Sequence, residues 1–220
     1  MKKVLLTLCA ATTVAAAANA QVGFAPALGL NISDYSIKSS PLAFDTKPRI
    51  GMRVGAMLQF GLTENVYLQP GLFYAMNGFR LDFLGVKATY NINTLEIPIN
   101  VVYKFGEPGD NRFFIGAGPY FGINMGGKEK TSGYPDLDLP MGSDSSDFMK
   151  PLDIGLGFAA GYEFANGFQV RANTQFGLAN LMPIGNSDNS IKSFNYGVTI
   201  AYMLGDKGAK KKKMKTTTTQ

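Results

Sequence analysis

Leu152-Asp153-Ile154-Gly155-Leu156-Gly157-Phe158-Ala159-Ala160-Gly161-Tyr162-Glu163-Phe164 is the stretch on which the fold turns. Leu152, Ile154, Leu156, Phe158, Ala160, Tyr162 and Phe164 place an apolar side chain at every second position. Asp153, Gly155, Gly157, Gly161 and Glu163 stand between them. Strict alternation over this length describes a β-strand with two chemically different faces. In a soluble sandwich the second face would meet water and carry Lys, Glu and Thr. Here it has almost no bulk and a single carboxylate near each end. Such a face suits a cramped interior, which leaves the apolar face pointing outward.

The rule repeats along the chain. Apolar or neutral residues hold alternate positions in 22–32, 50–60, 66–76, 95–105, 113–123, 168–178 and 194–204, and none of these positions is charged. The opposite faces collect glycines, Asn100, Asn124, Asn173, Gln59, Gln69, Gln169 and Gln175. Among them sit the isolated charges Arg53, Glu96, Lys104, Asp153, Glu163 and Arg171. With the apolar rows toward hydrocarbon, every backbone group must be satisfied inside the sheet, and only a closed barrel does that with strands. Segments of eleven to thirteen residues cross a bilayer when tilted by about 45°. Eight strands enclose a lumen that side chains just fill.

The fold class read from these patterns is all-β: one eight-stranded antiparallel transmembrane β-barrel over residues 21–205. Arg53, Glu96, Lys104, Asp153, Glu163 and Arg171 are expected to form a structural network in its lumen, since charges away from bulk water need partners. The functional alternative is a narrow polar path for small solutes.

The connections agree. Links 61–65, 106–111 and 165–167 are short and carry turn residues, whereas 33–48, 77–94, 125–151 and 179–193 are long. Outer-membrane barrels alternate in this way, with short periplasmic turns and long external loops. Pro26, Pro70, Pro98 and Pro119 run against the pattern because proline removes a ladder donor, so bulges or strand ends are expected there. Phe60, Tyr74, Tyr103, Phe105, Phe164, Phe168 and Tyr202 read either as interfacial girdles or as plain strand formers.

Both chain ends differ from the middle. Lys2 and Lys3 precede an apolar run over 4–18 that is too short for a spanning helix, and Ala18-Asn19-Ala20 supplies small residues before Gln21. This is the pattern of a secretory signal peptide, residues 1–20, cleaved between Ala20 and Gln21. Residues 206–220 hold six lysines and a threonine run; like charges repel, and a disordered tail is expected. It is either a solubilising end or an attraction for an anionic cell-wall polymer or lipid headgroup. With Lys2, Lys3, the tail lysines and Asp206 set aside, 13 of 21 basic and 15 of 16 acidic residues remain, net −2. The basic balance therefore points to no nucleic-acid partner.

Composition closes off much chemistry. Charged residues are 17% of the chain, and there is no histidine. Ser–His and Cys–His pairs and His-ligated zinc are thereby excluded. The single cysteine, Cys9, lies in the leader, which leaves no disulfide elsewhere. Asp136, Asp138, Asp144 and Asp147 are the candidate cation ligands. Their spacing departs from the twelve-residue calcium loop, and a hydrated acidic loop is the alternative. No enzyme activity and no cofactor are expected.

Leu68-Gln69-Pro70-Gly71-Leu72, Leu95-Glu96-Ile97-Pro98-Ile99 with Tyr103-Lys104-Phe105, Gly116-Ala117-Gly118-Pro119-Tyr120 and Gly177-Leu178-Ala179-Asn180-Leu181 resemble the PorT-like outer-membrane β-barrel family of Bacteroidota. The resemblance implies an eight-stranded outer-membrane barrel, OmpA/OmpX-like in architecture, and no catalytic residues; the residues themselves read as a structural or interaction protein with loops 33–48 and 125–151 as contact surfaces. The alternative it implies is an accessory part in a protein-secretion system. The expected partners are outer-membrane lipid, the barrel-assembly machinery and a secretion-system or cell-wall component.

Overall fold

The computed structural model describes residues 22–39, 42–44, 46–83, 86–186 and 189–205. The expected leader with its Ala20/Gln21 cleavage site and the lysine-rich tail lie outside them. Eight long strands run in sequence order: β1 Val22–Ser39, β2 Thr46–Gly61, β3 Val66–Phe83, β4 Val86–Phe105, β5 Arg112–Thr131, β6 Leu152–Glu163, β7 Phe168–Gly177 and β8 Asn189–Tyr202. Each pairs antiparallel with the next, and β8 returns to β1 with Ala27 opposite Ala201 and Ser39 opposite Asn189. The ring is closed. Two three-residue strands, Leu42–Phe44 and Leu137–Leu139, extend β1 and β5 at the loop end.

The apolar rows face outward as the alternation requires. Leu30, Ile50, Val54, Leu72, Val101, Phe158 and Val198 are each about half exposed on the outer wall. An aromatic belt edges this wall at the turn end. There Tyr103 and Phe105 stand 4.7 Å apart, Tyr162 and Phe164 5.1 Å, and Phe164 and Phe168 5.8 Å. A second group lies higher, with Phe176 and Phe194 at 5.1 Å and Phe194 and Tyr196 at 5.7 Å.

The strands do not stop where the apolar rows stop. The segments expected as loops over 33–48 and 77–94 are mostly strand: β1 continues to Ser39, β3 to Phe83, and β4 begins at Val86. The same holds for the start of 125–151, where β5 reaches Thr131. Alternation persists through these extensions but changes sign. Asp34, Ser36, Lys38, Arg80 and Asp82 now face outward, and Tyr35, Phe79 and Ile92 face inward and are buried. They pack with Met149, Leu181 and Ile191 into one apolar cluster above the lumen. A search for charge-free outward rows ends a strand at this inversion, which is why the extensions read as loops.

Two bulges mark the inversion. The β4–β5 register shifts between Asn93 and Thr94, opposite Gly126 and Asn124, so that Met125 is the extra residue. Gly126 has φ +129°, a value side chains resist. One inserted residue turns every later side chain to the other face. Lys128 and Lys130 are thereby put outside. A second shift, between Pro48 and Arg53 on β2, does the same for Lys47, which lies opposite Arg80.

The prolines find an account in the ladder. Pro26 lies just beyond the end of the β1–β8 pairing, which begins at Ala27. No register pair joins Gly71–Leu72 with Ile97–Pro98, or Ile99–Asn100 with Gly118–Pro119. The missing donors of Pro98 and Pro119 fall where pairing lapses. Pro70 stays in register opposite Ile99.

The apolar cap holds the upper wall together. Phe79 stacks on Tyr90 at 4.6 Å, and Tyr90 on Phe148 at 5.4 Å. Partial burial, together with the neighbouring Glu129 carboxylate, pushes the Tyr90 hydroxyl up to about 12, so the stack stays uncharged at neutral pH. Phe79→Ala should remove about 3–5 kcal/mol of packing. Limited proteolysis of the detergent-folded protein should then cut the variant within 132–148 while the part below the cap stays protected.

Candidate functional site

All six charges expected in the lumen are there and buried: Arg53, Glu96, Lys104, Asp153, Glu163 and Arg171. A seventh joins them. Arg112, the first residue of β5, is 2% exposed. It shares the phase of Phe114 and Gly116, and that parity was the signal available in the sequence.

The lowest layer is centred on Glu163. Lys104 Nζ stands 2.6 Å from Glu163 Oε2, and Arg112 Nη2 lies 2.6 Å from Oε1. Gln169 Nε2 donates to the same carboxylate. Arg112 Nη1 also donates to the Tyr67 hydroxyl at 2.9 Å, and the Lys104 ammonium lies 4.4 Å from the centre of the Tyr67 ring. One carboxylate thus faces two cations, with an aromatic ring sharing the excess.

The middle layer holds two arginines. Arg53 Nη2 is 3.1 Å from Glu96 Oε2, and its guanidinium lies 4.1 Å above the Phe73 ring. Glu96 also accepts from Asn77 at 3.2 Å and Gln175 at 3.4 Å. Arg171 forms no ion pair with a carboxylate among the described residues. Its Nη1 donates to Gln69 at 3.0 Å and Gln169 at 3.2 Å, and its guanidinium covers the Phe114 ring at 4.8 Å. At the top, Asp153 accepts from the Ser193 hydroxyl at 2.5 Å and from Tyr120 at 3.1 Å.

The inner glycines make room for these rings. Phe73 lies directly across from Gly55, Phe114 from Gly161 and Tyr120 from Gly155. A Cβ added at Gly161 or Gly155 would stand 2.5 Å from the ring opposite, and one at Gly55 2.8 Å from Phe73. Each ring therefore lies flat over a glycine, the pairing that restores packing to a bare strand position. In two of the three cases a guanidinium closes the stack.

Little space remains. One lumenal cavity encloses about 20 Å³ and is lined by Arg53, Phe73, Asn100, Arg171, Asn173 and Thr199, among others. Another, bordered by Asn31, Arg53, Glu96 and Asn195, encloses about 10 Å³. Each holds about one water-sized particle. Around Arg53, Glu96 and Arg171 the lumen is filled by side chains to within these two spaces.

The loop aspartates do not converge. Asp136 faces Lys130 at 3.6 Å and Asp138 faces Lys128 at 3.9 Å, while Asp147 accepts from the Asp144 backbone N–H at 2.8 Å within its own turn. Among the described residues no three acidic, histidine or cysteine side chains come together as a metal site.

The ring of eight strands is closed, apolar outside and charged within. The chain matches the family described as outer membrane protein beta-barrel domain over residues 16–182. It belongs to that family. Its place is the bacterial outer membrane, where barrels keep short turns on the periplasmic side and long connections outside. No curated protein matches the sequence.

Solved structures of similar shape include the outer membrane protein OprG from Pseudomonas aeruginosa, with TM-score 0.51 and 10% identity over 84% of this chain and 96% of that one. Ail, the attachment invasion locus protein of Yersinia pestis, solved with the heparin analogue sucrose octasulfate, has TM-score 0.43 and 11% identity over 84% and 99%. Neisserial surface protein A has 0.44 and 13% over 81% and 96%. At such identities the likeness speaks to the fold of this barrel protein alone.

Removing one member of the lowest layer should be costly. Glu163→Gln removes the carboxylate that Lys104 and Arg112 share, and the loss should be about 3–5 kcal/mol. Urea unfolding of the refolded barrel, followed by the gel-mobility difference between folded and heated protein, measures it. Replacing the whole group, Glu163→Met with Lys104→Met and Arg112→Met, should recover a large part.

Proposed function

We propose that this protein is a structural and interaction component of the outer membrane. Its lumen is closed, it catalyses no reaction, and the wall above the bilayer is its contact surface. The observation that carries this reading is the inversion of sheet polarity. β1 to β5 rise past the apolar belt, and a core of their own fixes them in place. A wall that served only to join strands would need a few turn residues.

Two features of the wall support contact with other molecules. Lys38, Arg80 and Lys192 point outward just above the belt and make no ion pair among the described residues. With Lys87 they form a basic rim at the height of the outer leaflet's phosphorylated headgroups and complement them in charge, whereas Lys47, Lys128 and Lys130 are already paired with Asp82, Asp138 and Asp136. Higher up, Tyr134 and Ile184 are each 71% exposed and Leu137 59%. Apolar side chains presented at loop tips on a rigid support are the usual anchors of a protein contact.

The pore reading is disfavoured by lumenal cavities of about 20 and 10 Å³ that Arg53, Glu96 and Arg171 separate. The secretion reading rests on phrases whose residues the barrel itself employs. Glu96 holds Arg53, and Pro98 packs inward at a lapse in the ladder.

Planar-bilayer recordings of the purified protein should show no steady conductance steps; steps of uniform size would restore the pore reading. In native membranes, a photo-crosslinker replacing Tyr134 should yield discrete protein adducts, while one replacing the lipid-facing Ile154 should not. Equal, diffuse labelling at both positions would remove the contact surface.

A further inference from the structure

The lumen contains four buried cations, Arg53, Lys104, Arg112 and Arg171, and three buried carboxylates, Glu96, Asp153 and Glu163. Their pairing is uneven. Glu163 serves Lys104 and Arg112, Glu96 serves Arg53, and Asp153 is held by two hydroxyls at the far end. Arg171, 1% exposed, makes no ion pair among the described residues and meets only two amide carbonyls and a ring face. A guanidinium does not lose its proton in proteins, so this positive charge cannot be relieved by titration. A buried charge without a partner is costly.

The cavity of about 20 Å³ lies where the deficit is. Arg53 and Arg171 both line it, and the Nε atoms of both are buried without a hydrogen-bond acceptor. Asn100, Asn173 and Thr199 supply further polar wall, and none of the three carboxylates borders it. The space takes one particle about the size of water. Two unpaired N–H donors on like charges call for an acceptor that carries negative charge, and water satisfies only the hydrogen bonds.

We propose that this cavity is a binding site for a single monoatomic anion, chloride in the cell, held between Arg53 and Arg171. The ion neutralises the lumenal excess, and both Nε groups donate to it. It is enclosed beneath the apolar cap, so it is a structural ion that enters as the barrel closes. Larger oxyanions such as sulfate and organic anions such as gluconate do not fit.

Crystals of the full-length mature protein grown in sodium bromide without chloride test the site. Anomalous scattering at the bromine edge should give a lumenal peak within hydrogen-bonding distance of both Nε atoms. Peaks confined to surface lysines, with ordinary water density between the two arginines, would overturn the proposal. In solution, thermal unfolding of the barrel refolded in chloride should occur at a higher temperature than after refolding in gluconate of equal ionic strength. Arg171→Gln should abolish that difference, and a Lys192→Gln control on the outer wall should keep it. Equal melting of the wild type in both salts would also overturn the site.

Discussion

A peptide group in hydrocarbon has no water to bond, and this structure follows from satisfying that requirement with strands. An open sheet leaves two edges of bare N–H and C=O groups. Joining β8 to β1 removes both. Closure with eight strands then fixes the circumference, and a ring of that size has an interior only as wide as its side chains. The inward face must therefore be sparse in some positions and bulky in others. Gly55, Gly155 and Gly161 are the sparse positions, and Phe73, Tyr120 and Phe114 fill the space they leave. Arg53 and Arg171 rest on two of those rings, so the packing and the electrostatics of the lumen are one arrangement.

The same sheet solves a different problem above the membrane. Water now lies outside the wall, and the apolar side must turn inward. The chain keeps its strands and reverses their faces. On β1 and β3 the residue types change while the phase stays the same: Asp34 follows Ile32 on the outside, and Tyr35 follows Ser33 within. On β2 and β5 a bulge reverses the phase itself. Both routes end at one apolar cluster around Phe79 and Ile92. The boundary between lipid and water is thus written into the barrel as a change of sign.

How much of this the sequence discloses depends on the range of the interaction. Period-two alternation is local, and it located all eight membrane strands, their outward faces and the six lumenal charges. Arg112 escapes that reading because it precedes Phe113, where the outward apolar row of its strand begins, although it shares the inward phase of Phe114. The upper wall was missed for a different reason. Its strands carry outward charges, which in a rule built on charge-free rows mark the end of a strand. The partners of each lumenal charge were not legible at all. Lys104 and Glu163 are 59 residues apart, and Arg171 and Gln69 102 residues apart. Barrel closure and tilt bring them together, and no local pattern records that.

A further question is why the lumen holds ion pairs, since a buried pair is often no more stabilising than an apolar filling of equal volume. The answer lies on the route to the membrane. A protein of the outer membrane must first pass through the inner one, where about 18–20 consecutive apolar residues are retained as a helix. If the inward face of 152–164 were apolar as well, Leu152 to Phe164 would be a continuous greasy run leading into the next strand. Asp153 and Glu163 interrupt the run of β6, and Arg53, Glu96 with Lys104, and Arg171 do the same on β2, β4 and β7. At the centre of a spanning helix each charge costs about 2.5–3.5 kcal/mol, enough to prevent retention. Folded into a barrel, the same residues turn away from lipid and pair with one another. On these four strands the lumenal charges are tolerable in the finished structure and break up apolar runs before it forms, so the polar interior suits the path of the chain as well as its end point.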